Sequence, residues 1–517
     1  MTSPVTLYKC GEVRTPSVPI ATAILVRDGK VEWLGDLSDD ATPPADVTVD
    51  LGDALVTPAF VDAHVHATDT GLAKLGLDLS GVRSAGQLLE AVEAFARRSA
   101  GDSDGDSDGG VILGHGFDES TWGNDQVPPS SAQLDRAAGG RSLYLSQASI
   151  HSALVSSDLL ALAGGTPGFE ESGWVRREAH HVVREAAFGR ITKAQRDAAQ
   201  TEALRVAASL GIAAVHECGG PGTSSEEDFT GLLAKSGKGL PEVYGYWGEL
   251  MGAAKARELG AVGAGGDLYA DGALGSRTAH VRESYLDGDE GCGHAYVTTE
   301  QVAEHLLDCG RQGMQGGFHA IGDAAIGTIV SGFKKAAEKV GVEAIREARH
   351  RVEHAEIMDK ALIAGFVEFG ILASMQPAFD RLWGGEHQMY AQRLGVPRSL
   401  ASNPMGQMHH TGVALAFGSD SPVTPLDPWG SVRAAMWHFN PAQRMKLSAA
   451  FAAHTKGGWR AVRRDNEGVL VPGAPATFAV WHTPSGRIGS LPSLEPQDDL
   501  PRCLRTVLRG ETIYALE

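Results

Sequence analysis

The chain has 517 residues, and at roughly 150 residues per domain that suggests about three domains, or one large barrel with an appendage, with a core large enough to need no disulfide or zinc staple. Hydrophobic residues at 43% and charged residues at 21% exclude a mostly disordered chain. Lys+Arg at 45 against Asp+Glu at 64 gives a net charge of −19, which repels phosphate backbones and anionic lipid and so excludes a broad nucleic-acid or membrane footprint.

In chain order, the amino-terminal stretch TAILVRDGKVEWLGD reads as two short strands around an Asp28-Gly29 turn, a β-hairpin. The start of the chain lacks the basic segment and apolar core of a secretory leader. No apolar run approaches the ~20 residues that span a bilayer, so the expected compartment is the cytoplasm. The middle alternates short apolar strands with longer amphipathic helices, the mark of β/α units and a parallel sheet. Strands are expected at 60–65, 111–116, 142–148, 212–217, 242–247, 267–272, 317–321, 350–355, 372–376 and 414–420. A closed barrel needs eight, so two of these ten lie outside it. The run GDSDGDSDGG fits the start of a calcium loop at Asp104, Asp106, Asp108 and Gly109. His115 stands where the closing bidentate acid belongs, so the run reads as a solvated loop. The last fifty residues return to strands, in ATFAVWH and in CLRTVLRGETIYAL. The two β-rich ends are expected to pair into one small sheet domain around the central one. Five cysteines (Cys10, Cys218, Cys292, Cys309, Cys503) form no C-x-x-C pair and read as reduced thiols.

The chemistry concentrates at strand ends. In TPAFVDAHVH, the two-residue period of a strand puts His64 and His66 on one side at its carboxyl end, with Asp62 two residues earlier, an arrangement suited to a divalent cation. Active sites of parallel barrels collect at the carboxyl ends of their strands. His319 in GGFHAIGDAA, His354 in RHRVEHAE, Asp267 and Asp271 in DLYADG, and Asp420 in ALAFGSDSPV all meet that rule. His216, closing AAVHEC, faces either the mouth or the interior. His151 either touches substrate or makes a plain hydrogen bond.

These residues resemble the amidohydrolase superfamily, specifically amidohydrolase family 3, the branch related to N-substituted formamide deformylases. The likeness runs through TPAFVDAHVH, GHGFDESTWG, LYADGALGSRTA, FHAIGDAAI, RVEHAEI, SMQPAF, FGSDSPVTPLDPW and EGVLVPGAPATFAVW. It implies an α/β fold: a metal-dependent (β/α)8 TIM barrel over residues 58–464 and a small β-sandwich built from 1–57 and 465–517. Carried over by position, His64 and His66 match the first-strand metal ligands, His319 and His354 those after the fifth and sixth strands, and Asp420 the eighth-strand aspartate. Many relatives carry a lysine that bridges two metals ahead of the ADG motif. Asp267 stands there in this chain and leaves one or two ions open, with zinc the best fit to His/Asp ligation.

The resemblance implies hydrolysis of a non-peptide carbon–nitrogen bond in a small amide or formamide. Asp420 would act as general base and acid, and His354 would polarise the carbonyl. The same site on an ester, lactone or carbamate, or a non-catalytic metal-binding relative, are the alternatives. Arg277 in GALGSRTA either binds a substrate carbonyl or carboxylate or ties down its loop. Trp122, Trp383, Phe379 and Met389 suit an apolar ligand or anchor their loops. The expected partner is a small-molecule substrate rather than nucleic acid or membrane, and a homodimer is an ordinary assembly for such a barrel.

Overall fold

The computed structural model describes residues 4–37, 42–99, 110–122, 127–148, 152–288, 291–484, 486–488 and 491–516. The chain divides into two compact units, one of residues 1–66 and 204–517, the other of residues 67–203.

The first unit contains eight parallel strands: β1 (Phe60–Val65), β2 (Ile212–Gly219), β3 (Glu242–Trp247), β4 (Gly263–Ala264), β5 (Gln315–Ala320), β6 (Arg351–His354), β7 (Leu372–Met375) and β8 (Ala414–Phe417). Each pairs with the next, and β8 meets β1 through a parallel bridge between Val65 and Ser421. The His66 N–H donates to the Ser421 carbonyl (2.9 Å) and the Asp420 N–H to the His64 carbonyl (2.8 Å). This is the (β/α)8 barrel. Its strands are buried along their whole lengths except at the first residues of β3 and β8, Glu242 and Ala414, which are half-buried.

Two further sheets of the first unit come from both ends of the chain. One contains Thr6–Lys9, Ala23–Arg27, Lys30–Gly35 and Val47–Asp50. The other pairs Glu12–Val13 and Leu55–Pro58 with Phe478–His482, Arg502–Leu508 and Glu511–Ala515. Tyr8, Ile24, Val26, Val56, Phe478, Val480 and Val507 share one core, giving the small β-sandwich. The Asp28-Gly29 turn has both residues at positive φ (48° and 73°), the geometry whose twist matches a two-residue hairpin. At the sandwich–barrel junction the Phe60 ring meets Trp429, Phe451 and Trp481 edge-on, at 4.9, 5.4 and 5.7 Å. Gly211, at φ 78°, lies so close that a Cβ would stand 2.3 Å from the Trp481 ring.

The second unit settles which two expected strands lie outside the barrel. Ile112–Phe117 and Leu143–Gln147 pair in parallel and join Leu77–Asp78, Ser152–Val155 and Trp174–Arg176 in a separate five-stranded sheet. Leu143 and Leu145 enter one core and Tyr144 another, so both faces of this strand are covered. Residues 67–203, expected within the barrel domain of 58–464, therefore form a unit with its own core. A second correction concerns DLYADG: the fourth barrel strand is only Gly263–Ala264. Its path breaks at Gly266, where φ is 75°, so Asp267 and Asp271 lie on the loop beyond the strand. The calcium-loop residues Asp104, Asp106 and Asp108 fall outside the described residues. Among the described residues, no helix is long and apolar enough to cross a membrane.

Candidate metal centre

The carboxyl ends of β1, β5, β6 and β8 and the loop after β4 bring His64, His66, His319, His354, Asp420 and Asp267 together. Asp267 lies at the middle. Its Oδ1 is 3.5 Å from His64 Nε2, 3.6 Å from His319 Nδ1 and 3.9 Å from His354 Nε2, and its Oδ2 is 3.2 Å from His66 Nε2. Asp420 Oδ1 lies 3.4 Å from His64 Nε2 and 3.2 Å from His66 Nε2. Within this cluster, His64, His66 and Asp267, His64, His354 and Asp420, and Asp267, His319 and His354 each converge tightly enough to share one ion.

On His64, His354 and His319 the ring nitrogen facing away from the cluster is already engaged. His64 Nδ1 donates to Glu353 (2.9 Å), His354 Nδ1 to Gln376 Oε1 (2.8 Å) and His319 Nε2 to the Gly272 carbonyl (3.3 Å). These bonds fix the tautomers and leave His64 Nε2, His354 Nε2 and His319 Nδ1 as lone-pair donors toward one point. His64 Nε2, His319 Nδ1 and Asp267 Oδ1 are fully buried with no hydrogen-bond partner. Buried polar atoms are rarely left so, and three orphans aimed together are what a divalent cation would satisfy. The residues present therefore fit the metal.

The charge balance agrees. Burial disfavours the Asp267 carboxylate, yet His64, His319 and His354 around it hold its pKa well below the usual range. Burial likewise disfavours a charged His66, but hydrogen bonds to Asp267 and Asp420 carry its pKa well above the ordinary value. The carboxylates thus draw positive charge into the cluster. His354 and Asp420 both adopt positive φ (69° and 56°), and such strain in non-glycine residues concentrates at functional sites.

A buried ion pair supports the site from inside the barrel. Arg351 and Glu353 point inward from β6 and are fully buried. Arg351 Nε and Nη2 grip Glu353 at 2.5 and 2.8 Å, while Nη2 also donates to the Ala63 carbonyl (2.6 Å) and Ser374 (2.9 Å). The Arg351 guanidinium packs 4.3 Å from the Tyr246 ring centre. Glu353 accepts from His64, so the pair orients a cluster imidazole. The motif reading missed both residues; their signal was the two-residue period of RHRVEHA, which puts Arg351 and Glu353 on one face.

Other sequence candidates have different roles. Asp62 Oδ1 accepts the backbone N–H groups of His64 (3.2 Å) and Ser419 (2.9 Å), tying β1 to the β8 loop rather than facing the cluster. Asp271 accepts three backbone N–H groups, from His280, Ile321 and Gly322, and so pins the loop after β4. His216 lies in the interior and accepts from Arg351 Nη1 (3.1 Å); burial and that cation hold it neutral. Arg277 forms a two-pronged pair with Asp287 (3.0 Å each), so it ties down its loop. Trp122 is buried in the second unit against Phe117, in a core with Leu88 and Leu134. His151 falls outside the described residues. Phe379 stacks parallel to the His354 ring at 5.9 Å and contacts Trp383 at 4.8 Å, and Met389 and Trp383 border one small core.

The sequence pattern of the amidohydrolase family matches residues 47–514, and the chain belongs to that family of metal-dependent hydrolases. Protein LONG AFTER FAR-RED 3 of Arabidopsis thaliana is 28% identical over 518 residues, covering 91% of this chain and 85% of the relative. An uncharacterized metal-dependent hydrolase from Pyrococcus furiosus shares the fold at a TM-score of 0.74 with 24% identity, covering 92% of this chain and 98% of that one. The N-substituted formamide deformylase of Arthrobacter pascens is 28% identical over 149 residues, which is 28% of this chain and 26% of that protein.

Proposed function

We propose that the chain hydrolyses a non-peptide carbon–nitrogen bond of a small amide or formamide, with zinc as the resident metal. The observation that carries this reading is the convergence of the buried, unpartnered His64 Nε2, His319 Nδ1 and Asp267 Oδ1 beside the Asp420 carboxylate. Asp267 belongs to both the His64–His66 set and the His319–His354 set, so it would help hold the metal whether the site takes one ion or two. A divalent cation held there supplies Lewis acidity, lowering the pKa of water and favouring charge on a carbonyl oxygen.

Asp420 is the general base and acid. Its side chain is among the more accessible of the cluster, at 10% exposure against 0% for His64. It takes the proton of the attacking water and passes it to the leaving nitrogen. His354, held at Nδ1 by Gln376, keeps Nε2 turned to the reacting centre. The Phe379 and Trp383 rings beside it suit an apolar acyl or amine portion. The partial likeness to the formamide deformylase supports a formamide among the candidates.

The test is a screen of metal-loaded protein on N-formyl, N-acyl, carbamate and ester compounds, with Asp420→Asn as the blank. The expected result is amide or formamide turnover that falls by about 10²–10⁴ in the variant, with the metal content kept. Unchanged turnover in Asp420→Asn, or ester hydrolysis well above amide hydrolysis, refutes the reading.

A further inference from the structure

Apart from the metal cluster, the first unit holds a cavity of about 260 Å³ between the helices Pro377–Trp383 and Pro428–Met436, with Ser419 and Thr424 also lining it. It is far larger than the ~10–15 Å³ that one water needs and a little below the ~300 Å³ at which drug-sized sites begin, so it suits a ligand of about one ring. Arg381, Arg433, Leu382, Trp437 and Pro496 line it.

Its polar groups call for an anion. Among the described residues Arg381 makes no hydrogen bond or close ion pair, its charge acting only at longer range on Asp380, and Arg433 makes one bond, from Nη1 to the Asp498 carbonyl (2.9 Å). In a chain with 19 more acidic than basic residues, two guanidiniums lining one cavity without a carboxylate partner are a preference, since paired donors of this kind are matched to carboxylate. Ser431 is 95% buried on the same lining, and its hydroxyl has no partner, a state that buried hydroxyls rarely keep. Asp427 is the one acid on the lining, and its Oδ1 caps the following helix by accepting the Gly430 N–H (2.9 Å). The remaining wall is apolar, with Leu382, Pro425 and Trp437.

We infer that this cavity binds a small organic carboxylate, its charge held by Arg381 and Arg433 with Ser431 donating to it, and its apolar body against Leu382 and Trp437. The cavity shares a loop with the reaction centre. Thr424 Oγ1 donates to the Ser419 carbonyl (2.5 Å), and the Val423 N–H to the Asp420 carbonyl (2.8 Å). A ligand filling this cavity therefore also lies against the segment that carries Asp420. Such a carboxylate is either an arm of the substrate or a separate metabolite; the recognition chemistry is the same.

The experiment is calorimetric titration of benzoate, phenylacetate and phenylpropionate into the full chain, with 2-phenylethanol, which has no bond to hydrolyse, as the uncharged control, on the parent protein, Arg381→Ala and Arg433→Gln. The binding readout needs no turnover, so it stands apart from the proposed reaction. The carboxylates are expected to bind at least tenfold more tightly than the alcohol and at least tenfold more weakly to each variant. Arg381→Ala should melt near the parent temperature, because the exposed Arg381 makes no hydrogen bond or ion pair and loses only a weak attraction to Asp380. Failure of every carboxylate to bind, equal binding of 2-phenylethanol, or undiminished binding to Arg381→Ala overturns the inference. Where binding holds, added carboxylate that raises only KM marks a substrate arm, and one that changes kcat marks a separate ligand.

Discussion

Replacing Glu353 with Gln tests whether the ion pair inside the barrel orients the metal cluster. The substitution keeps size and shape but removes a charge that Arg351 grips at 2.5 and 2.8 Å and that His64 Nδ1 reaches at 2.9 Å. Arg351 is fully buried, so it is left as an uncompensated cation, and breaking such a pair costs about 3–5 kcal/mol. The imidazole of His64 also loses the carboxylate that makes it a stronger donor, an effect worth roughly 10- to 100-fold in metal affinity. Urea unfolding of the metal-free protein reads the first quantity, and competition against a zinc chelator reads the second. Arg351→Met separates the two. It leaves Glu353 on His64, so it should lose stability while holding metal more nearly as the parent does. Metal affinity in Glu353→Gln within threefold of the parent, or equal metal loss in both variants, would refute the reasoning.

Two further outcomes follow from the packing. A Cβ on Gly418 would stand 2.5 Å from the His64 backbone nitrogen and 2.8 Å from Asp62 Oδ1, so Gly418→Ala should push β1 from β8 and lower metal content at unchanged loading, as measured by metal analysis of the folded variant. Acid should unfold the protein through His350 and His454, whose pKa values burial lowers to about 3 and about 4. Both lie below the ~6.5 of an unfolded histidine, so the unfolded chain takes up protons first. Stability present above pH 6.5 is then lost on descent toward pH 4, by up to about 3 kcal/mol for each residue. Urea midpoints between pH 7 and 4.5 check this. His454→Asn, whose amide can still donate to the Val61 carbonyl that His454 Nδ1 now reaches at 2.9 Å, should flatten the slope, and an unchanged slope would exclude His454.

Much of the cluster was legible in the sequence, because a strand's two-residue period and the carboxyl-end rule for barrels are both local. His64 with His66, His319, His354 and Asp420 could be placed from those rules alone. Arg351 and Glu353 escaped because an alternating charged strand reads the same on a solvated sheet as inside a barrel, and only closure of the strand ring buries it. Asp271 shared the loop of Asp267, and nothing in spacing says that one faces the cluster while the other collects three backbone N–H groups. Trp122 and Arg277 stand in loops, where a core anchor and a ligand contact look alike until the neighbours are known. The two surplus strands could not be sorted, since an apolar run covered on both faces serves either sheet equally well.

The sandwich built from both ends of the chain imposes a delay during synthesis. Trp481 Nε1 donates to Thr57 Oγ1 at 2.9 Å across 424 residues of chain, and Leu55–Pro58 pairs with Phe478–His482 along its length. At the ~5–20 residues per second of a translating ribosome, the early strand waits roughly 20–90 s for its partner. Throughout that interval an apolar edge and the Phe60 ring have no cover, which makes the nascent chain a natural client for a holding chaperone.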